Sequence, residues 1–465
     1  MSYDVAVVGS GPGGAVTARE CARRGLRVVV LEEGAWVEPG AAEPYSLDQM
    51  RRQYRNQGLT VALGRPPVAY TEASCVGGGS EVNSGLYHRV DPEVLDEWSA
   101  AYAIEGLGRA DLDPWFDSVE DRLSITTPPP PMNAASDVLR RGAEALGWDG
   151  LDVPRWVRHG ASGAAPEKQT MLRTYLADAI AAGAEVRSGV RVERLRVEGG
   201  RVSGVETDRG VVRADHVVVC GGAVQTPALL LRSGVRRNVG RGLSMHPTVK
   251  VLAQLDEDVN DPRDLATYQV KEFAPAMTMG GSAGRPGMIA LGLSGTWDRD
   301  RELSADWRRQ SVYYASIRSQ GTGRVRVLPG AADPVVTYHL TRRDMAALRA
   351  GLGRLMLLLS AAGARLQVPS YVGAPRVTDA GQVGPAAEAM SRAAAAVMSV
   401  HLCGTAPMGE DVRRSATDSF GRVHGVANLS VNDASLLPSA PGVNPQGTLM
   451  AVAHRNVDRL LEGSR

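Results

Sequence analysis

Tyr3-Asp-Val-Ala-Val-Val8 runs directly into Gly9-Ser-Gly11-Pro-Gly-Gly14, and this junction decides the fold. The first six residues are an apolar, β-branched run of strand length. The glycines then stop the strand and open a helical stretch to Arg24, which Gly25 ends. Arg27-Val-Val-Val-Leu31 supplies a second buried strand that closes at Glu32. Strand, G-x-G-x-x-G turn, helix and strand make a βαβ unit of about thirty residues. Gly9 permits the tight turn, Gly11 lets a pyrophosphate approach the backbone, and Gly14 lets the helix pack closely on the strand. The helix N-terminus then faces the phosphates, and Glu32 is placed to accept hydrogen bonds from ribose hydroxyls. The fingerprint predicts a bound dinucleotide but does not separate NAD from FAD.

The 465 residues exceed one domain, so at least two structural units are expected. Charge is balanced, Lys+Arg 52 against Asp+Glu 51, which recommends no nucleic-acid partner. The basic residues are almost all arginine, Lys168, Lys250 and Lys271 being the only lysines. Cys21, Cys75, Cys220 and Cys403 lie far apart, so neither a zinc site nor a disulfide framework is indicated. The N-terminal apolar run lacks a basic leader and reads as a strand, not a signal peptide. With no apolar stretch long enough to span a bilayer, no membrane insertion and a cytoplasmic location are expected.

Along the chain, residues 35–72 read as an extended excursion or lid with one short helix from Leu47 to Arg55. Residues 92–123 are helical, and a proline-rich linker begins at Thr126. A helix near 168–182 precedes strands at Glu185–Arg196, Arg201–Thr207 and Val211–Val219. Residues 246–340 suggest a mostly antiparallel sheet. A helix over 341–362 carries a capping box at Thr341 and Asp344. The C-terminal part holds a strand at Leu429–Val431 and a final helix from about Gly447. Fold class is therefore α/β: a Rossmann-like dinucleotide domain from 1–91, 151–245 and 385–465, a helical segment and linker at 92–150, and a substrate domain at 246–384.

A second glycine cluster, Val76-Gly77-Gly78-Gly79-Ser80-Glu81-Val82-Asn83, brings backbone N–H groups and short side chains around something anionic or planar. At this motif the chain resembles the glucose–methanol–choline (GMC) oxidoreductases, a flavoprotein family. The resemblance recurs at Gly222-Ala-Val-Gln-Thr226-Pro227, where the matching signature departs only at Arg236. It recurs again at Val239-Gly240-Arg241 through His246-Pro247, and at His401-x-x-Gly404-Thr405. It continues through Asn428-Leu429-x-Val431-x-Asp433-Ala434-Ser435 to Gly442-Val-Asn444-Pro445. These motifs stand in family order over the whole chain. The resemblance implies FAD, a GMC-like fold with an antiparallel substrate sheet and flanking helices, and oxidation of an alcohol. It implies Glu32 at the adenosine ribose and Gly78, Ser80 and Asn83 beside the pyrophosphate and flavin. It also implies adenine contact through the backbone of Val192, Asp433 and Ala434 near the ribityl–pyrophosphate region, and Pro445 at the pyrimidine edge. Members that attach FAD covalently often carry a histidine where this chain has Val82, so noncovalent FAD is expected.

Alcohol oxidation needs a hydride acceptor and a base for the hydroxyl proton. The resemblance assigns the base to His401 and the opposite position to Asn444, which cannot take a proton but can donate a bond to the substrate oxygen. The other seven histidines read as structural, with His246 the one expected nearest the active-site wall. The electron acceptor, oxygen or another, is not readable. Two other readings stay open: a flavin-retaining lyase, and an oxidase of sterols or long-chain alcohols. With three Phe in the chain and Glu272 a candidate for the cavity wall, the expected substrate is a small polar alcohol. A sugar or amino sugar is the type expected, including an intermediate of aminoglycoside-type natural-product biosynthesis.

Overall fold

The computed structural model describes residues 2–129, 133–159, 166–260, 266–282 and 284–462. Its first sheet grows from the N-terminal βαβ unit. Ser2–Val8 is central, paired in parallel with Val28–Glu32 on one side and Gly210–Val219 on the other. Val28–Glu32 and the Val217–Val219 end of the other neighbour are buried, largely apolar runs, as in a parallel sheet covered on both faces. Glu185–Ser188 extends the sheet beyond Val28–Glu32. On the far side, Gly210–Val219 pairs first with Arg201–Thr207 and then, in parallel, with Leu429–Val431. The C-terminal strand thus returns to the sheet that the N-terminus began.

The sequence suggests one strand over Glu185–Arg196, and here the structure differs. Gly189, at φ +63°, breaks it, and the second half, Val192–Glu198, pairs with Arg201–Thr207 at the opposite edge of the sheet. The turn carries Val190 to the carbonyl of Glu32 at 2.9 Å. The helix expected near 168–182 is shorter, Tyr175–Ala181, because Glu167–Lys168 pairs with Val157–Arg158 instead. Residues 92–123 form two helices, Pro92–Tyr102 and Arg109–Leu123, separated at Ala103 by left-handed backbone. The linker begins as expected after Thr126, and its residues 130–132 lie outside the described residues. The final helix, Gln446–Glu462, and the long helix Arg342–Ala361 stand where the sequence puts them. Thr341 and Asp344 cap the latter reciprocally.

The second sheet has nine strands and is antiparallel except where Val397–Ser399 pairs with Val68–Tyr70. Thr248–Gln254, Gln310–Ile317, Met277–Gly281 and Tyr268–Val270 lie side by side at its centre. The excursion over 35–72 is more ordered than its composition suggests. Thr60–Ala62 and Val68–Tyr70 form an edge hairpin of this sheet, three residues each and too short to show a period in sequence. Gly150–Asp152 closes the other edge. One face packs on Arg342–Ala361, with Val249, Val251, Met277, Met279, Tyr313 and Ala315 buried in the same core. Strand alternation sends the intervening residues to the other face, which bounds a cavity. Among the described residues, no helix is long and apolar enough to cross a membrane.

Candidate active site

One cavity of about 1580 Å³ lies between the two sheets and reaches both the glycine fingerprint and the second sheet's free face. At its first end the glycines fit a dinucleotide. A Cβ at Gly14 would run into the carbonyl of Gly9, and one at Gly13 into that of Asn432, so Pro12–Arg23 can press against the strand ends only without side chains there. Gly9, at φ +100°, makes the turn. Gly78, also at positive φ, passes so close to Gly11 that a Cβ would lie 2.7 Å from its Cα. The two glycine loops are tied together by Ser10, whose hydroxyl accepts from the Gly77 N–H at 3.0 Å.

Glu32 is buried at the end of Val28–Glu32. One of its oxygens accepts from the backbone and hydroxyl of Ser10, at 3.0 and 2.7 Å, and the other from Gly34 N–H at 2.9 Å. Three donors leave a carboxylate one lone-pair position, enough for a ribose hydroxyl. Val192, Ala434, Gly78, Asn83 and Pro445 line the same cavity. Asn83 is held by Gln446, to whose Oε1 its amide donates at 2.7 Å.

Two predicted positions do different work from that expected of them. Ser80 is fully buried and does not line the cavity. Its hydroxyl donates to Gly77 O and accepts from Met171 N–H at 2.9 Å, so it holds the glycine loop. Asp433 lines the cavity, but its carboxylate is saturated. It accepts from Gly222 N–H, the Thr226 hydroxyl, and both the N–H and hydroxyl of Ser435. Any cofactor contact at Asp433 therefore falls to its backbone.

At the other end stand the histidines. Arg241–Met245 and Leu402–Cys403 are antiparallel, with Ser244 opposite Cys403 and Met245 opposite Leu402. The next residues out are His246 and His401, so the ladder itself sets the two rings together. Their Nδ1 atoms are 2.9 Å apart. Asn444, two residues before the final helix, places its carboxamide nitrogen 3.3 Å from His401 Nε2. The expected pair is thus assembled, and His246, at 4% exposure, joins it as a third member.

The proton positions follow from one backbone donor. Gly442 N–H donates to His246 Nε2 at 2.8 Å. Neutral His246 must then carry its proton on Nδ1 and donate it to His401 Nδ1. Neutral His401 consequently holds its own proton on Nε2, and Asn444 meets it with the carboxamide oxygen after a half-turn of the amide. Burial lowers the pKa of His401 to about 4, and burial together with the His401 charge pushes His246 well below its usual range. Both rings are neutral at ordinary pH.

Further residues stand at or near the site. His88, read as structural from sequence, is half-buried near Asn444 and Gln269. Arg55 pairs with Glu33 and, at 2.9 Å, with Glu72 on the cavity wall. Lys168 donates to the carbonyls of Glu81 and Asn83, fixing the glycine loop, while Lys250 and Lys271 line the cavity. Their signal was present in the sequence as three lysines among many arginines. Glu272 is corrected in the opposite direction. It is exposed, accepts from Asp149 N–H at 3.2 Å, and does not line the cavity. Asp256, Glu257 and Asp258 are surface residues paired with Arg365, Arg141 and Arg309, and Asp261 lies outside the described residues.

A GMC oxidoreductase N-terminal model matches residues 50–248, and the corresponding C-terminal model matches residues 319–453. An NAD(P)-binding Rossmann-like domain model matches residues 7–56. An uncharacterized GMC-type oxidoreductase of Sinorhizobium fredii is 38% identical over 482 residues, covering 100% of this chain and 95% of the relative. A long-chain-alcohol oxidase of Arabidopsis thaliana is 28% identical over 511 residues, covering 98% of this chain and 67% of the relative. Paromamine 6'-oxidase of Streptomyces fradiae is 28% identical over 519 residues, covering 98% and 90%.

Proposed function

The chain belongs to the GMC oxidoreductase family of FAD-dependent enzymes, and from that premise we propose that it oxidises an alcohol to an aldehyde or ketone with His401 as the base. The observation that carries this reading is the His401–Asn444 pair, 3.3 Å apart in the same cavity as the glycine cradle. FAD, when bound, supplies the hydride acceptor. What the chain supplies is a destination for the hydroxyl proton.

His401 can take that proton at Nε2 only after the histidine pair reverses. His246 must release Gly442, carry its proton on Nε2, and accept from His401 Nδ1–H. The same direction serves the protonated state, since an imidazolium at His401 must donate from Nδ1. The reversal leaves the buried Gly442 N–H without its acceptor, at a cost of about 1–3 kcal/mol. His246 is therefore a positioning residue in this reading, and Asn444 polarises the substrate oxygen.

Two outcomes follow. Because burial lowers the His401 pKa to about 4, the neutral base persists well into acid. The acidic limb of a kcat/KM profile should accordingly fall near pH 4, not near the ordinary histidine value of about 6.5. Asn444→Ala should lower kcat/KM by about 10–100-fold, the loss of one polarising donor, with FAD retained.

FAD is held noncovalently in this reading, since Val82 offers no nucleophile. The purified protein should be yellow and should release FAD on acid precipitation. Anaerobic bleaching of the flavin by an alcohol separates oxidation from a lyase, whose substrate would leave the flavin oxidised. The reoxidant, oxygen or another acceptor, is read in the same instrument by readmitting air. A polar substrate is supported by the sheet face around the cavity, where Thr248, Gln269, Thr278, Tyr314 and Ser316 set hydrogen-bonding groups among apolar lining residues such as Met288, Leu291 and Val312. Glu272 no longer recommends a cationic sugar, because it lies outside the cavity.

A further inference from the structure

The second sheet's free face is polar and of one sign. Gln269 and Lys271 reach it from one strand and its continuation, Thr278 from the next, and Lys250 from the far side. Among the described residues lining the cavity, the carboxylates are Glu32, Glu33, Glu72 and Asp433, and each has a partner. Glu32 is taken by Ser10 and Gly34, Glu33 and Glu72 by Arg55, and Asp433 by Gly222, Thr226 and Ser435. None of the described residues lining the cavity offers Lys271 a counter-charge.

Lys271 Nζ is buried and has no hydrogen-bond partner among the described residues. The same is true of Gln269 Oε1 and the Thr278 hydroxyl on the same face. Lys271 lines the same cavity as His246 and His401. Lys250 is better satisfied, donating to the Ser282 hydroxyl at 3.3 Å. A buried ammonium without a protein partner is costly to keep, and its pKa falls to about 8 through burial. Such a group fits a site completed by an anion that arrives with the ligand.

We propose that the alcohol oxidised by this protein carries a carboxylate or phosphate group, and that Lys271 seats that group and selects for it. This rests on the alcohol-oxidation reading above. The Thr278 hydroxyl is a second donor on the same face, and Lys250 makes the far side of the pocket attractive to the same charge. A charge-assisted bond of this kind gives both affinity and orientation.

The test uses the flavin-loaded enzyme, titrated by calorimetry with acetate and with inorganic phosphate. At least one should bind saturably, and which one does separates a carboxylate from a phosphate substrate. Lys271→Met should raise that Kd at least about tenfold, and Lys271→Arg should hold it within about threefold. Lys271→Gln serves where the methionine variant does not fold. In parallel, anaerobic flavin bleaching is followed with hydroxy acids, glycerol phosphates, diols and amino alcohols of matched length. Anionic members should bleach the wild type at least about tenfold more efficiently than diols, and Lys271→Met should remove that advantage.

Failure of both anions to bind, equal binding by Lys271→Met, or preference for amino alcohols would overturn the proposal. So would a Lys271→Met enzyme that bleaches normally and is slowed only in reoxidation by oxygen, since the lysine would then serve the acceptor. Lys271-dependent anion binding with no bleaching by any alcohol would support the site and overturn the alcohol-oxidation reading. Bleaching by diols without anion binding would do the reverse.

Discussion

His401→Ala should lower kcat/KM by at least about two orders of magnitude, the range expected when a positioned general base is removed. FAD should remain bound, because His401 stands at the far end of the cavity from the fingerprint glycines. The imidazole is held on both sides, by His246 at Nδ1 and by Asn444 near Nε2. Its removal deletes the one atom in that chain able to take a substrate proton without leaving its place. His246 does not stand in the same place, since in the resting arrangement its Nδ1 carries its proton and its Nε2 accepts from Gly442 N–H. A hundredfold loss corresponds to about 2.7 kcal/mol of transition-state stabilisation. The check is steady-state kinetics on protein whose flavin content has been matched to wild type. Turnover near the wild-type rate would remove His401 from the base role and make His246 the next residue to substitute.

What the sequence disclosed and what it concealed divide along the range of the interactions. The fingerprint was legible because every part of it is local: strand, turn, helix and acid follow one another within residues 3–32. The capping box at Thr341 and Asp344 is legible for the same reason. The His401–Asn444 pair was legible only through resemblance, since its members stand 43 positions apart with two strands and a short 3-10 turn between them. Its third member, His246, is set by the ladder that pairs Met245 with Leu402, a contact that no periodicity announces. Gly189 hid the break in Glu185–Arg196, because a glycine within a strand-like run reads equally as a bulge. Arg55, Glu272 and Lys271 show the general limit. Each is a charged residue, and cavity membership depends on which sheet face folding turns inward. Glu272, read as a candidate for the cavity wall, lies outside it, while Arg55 and Lys271 line it.

Gly14→Ala should leave the enzyme without its flavin. The added methyl would be driven into the carbonyl of Gly9 and would crowd the Cys220 side chain, both on the strand side of the first helix. Neither can yield. The Gly9 carbonyl belongs to the turn at φ +100°, and the Gly9 N–H is already bonded to Leu31 O at 2.8 Å. Pro12–Arg23 must then shift away from Ser2–Val8, and its N-terminus no longer meets a pyrophosphate at the close approach that Gly11 and Gly78 allow. Flavin content of the purified protein should fall to about a tenth of wild type or less. Thermal stability should fall with it, because a ligand present at 100 times its Kd contributes about 2.7 kcal/mol. Gly25→Ala is the control. That glycine is also at positive φ, +81°, yet a Cβ there meets nothing within 4 Å. It should cost about 1 kcal/mol in backbone strain and keep the flavin. Absorbance of the two variants near 450 nm, a region typical of oxidised flavin, against their ultraviolet absorbance reads both outcomes at once. A yellow, fully loaded Gly14→Ala protein would show that helix and strand need not pack this closely to hold the dinucleotide.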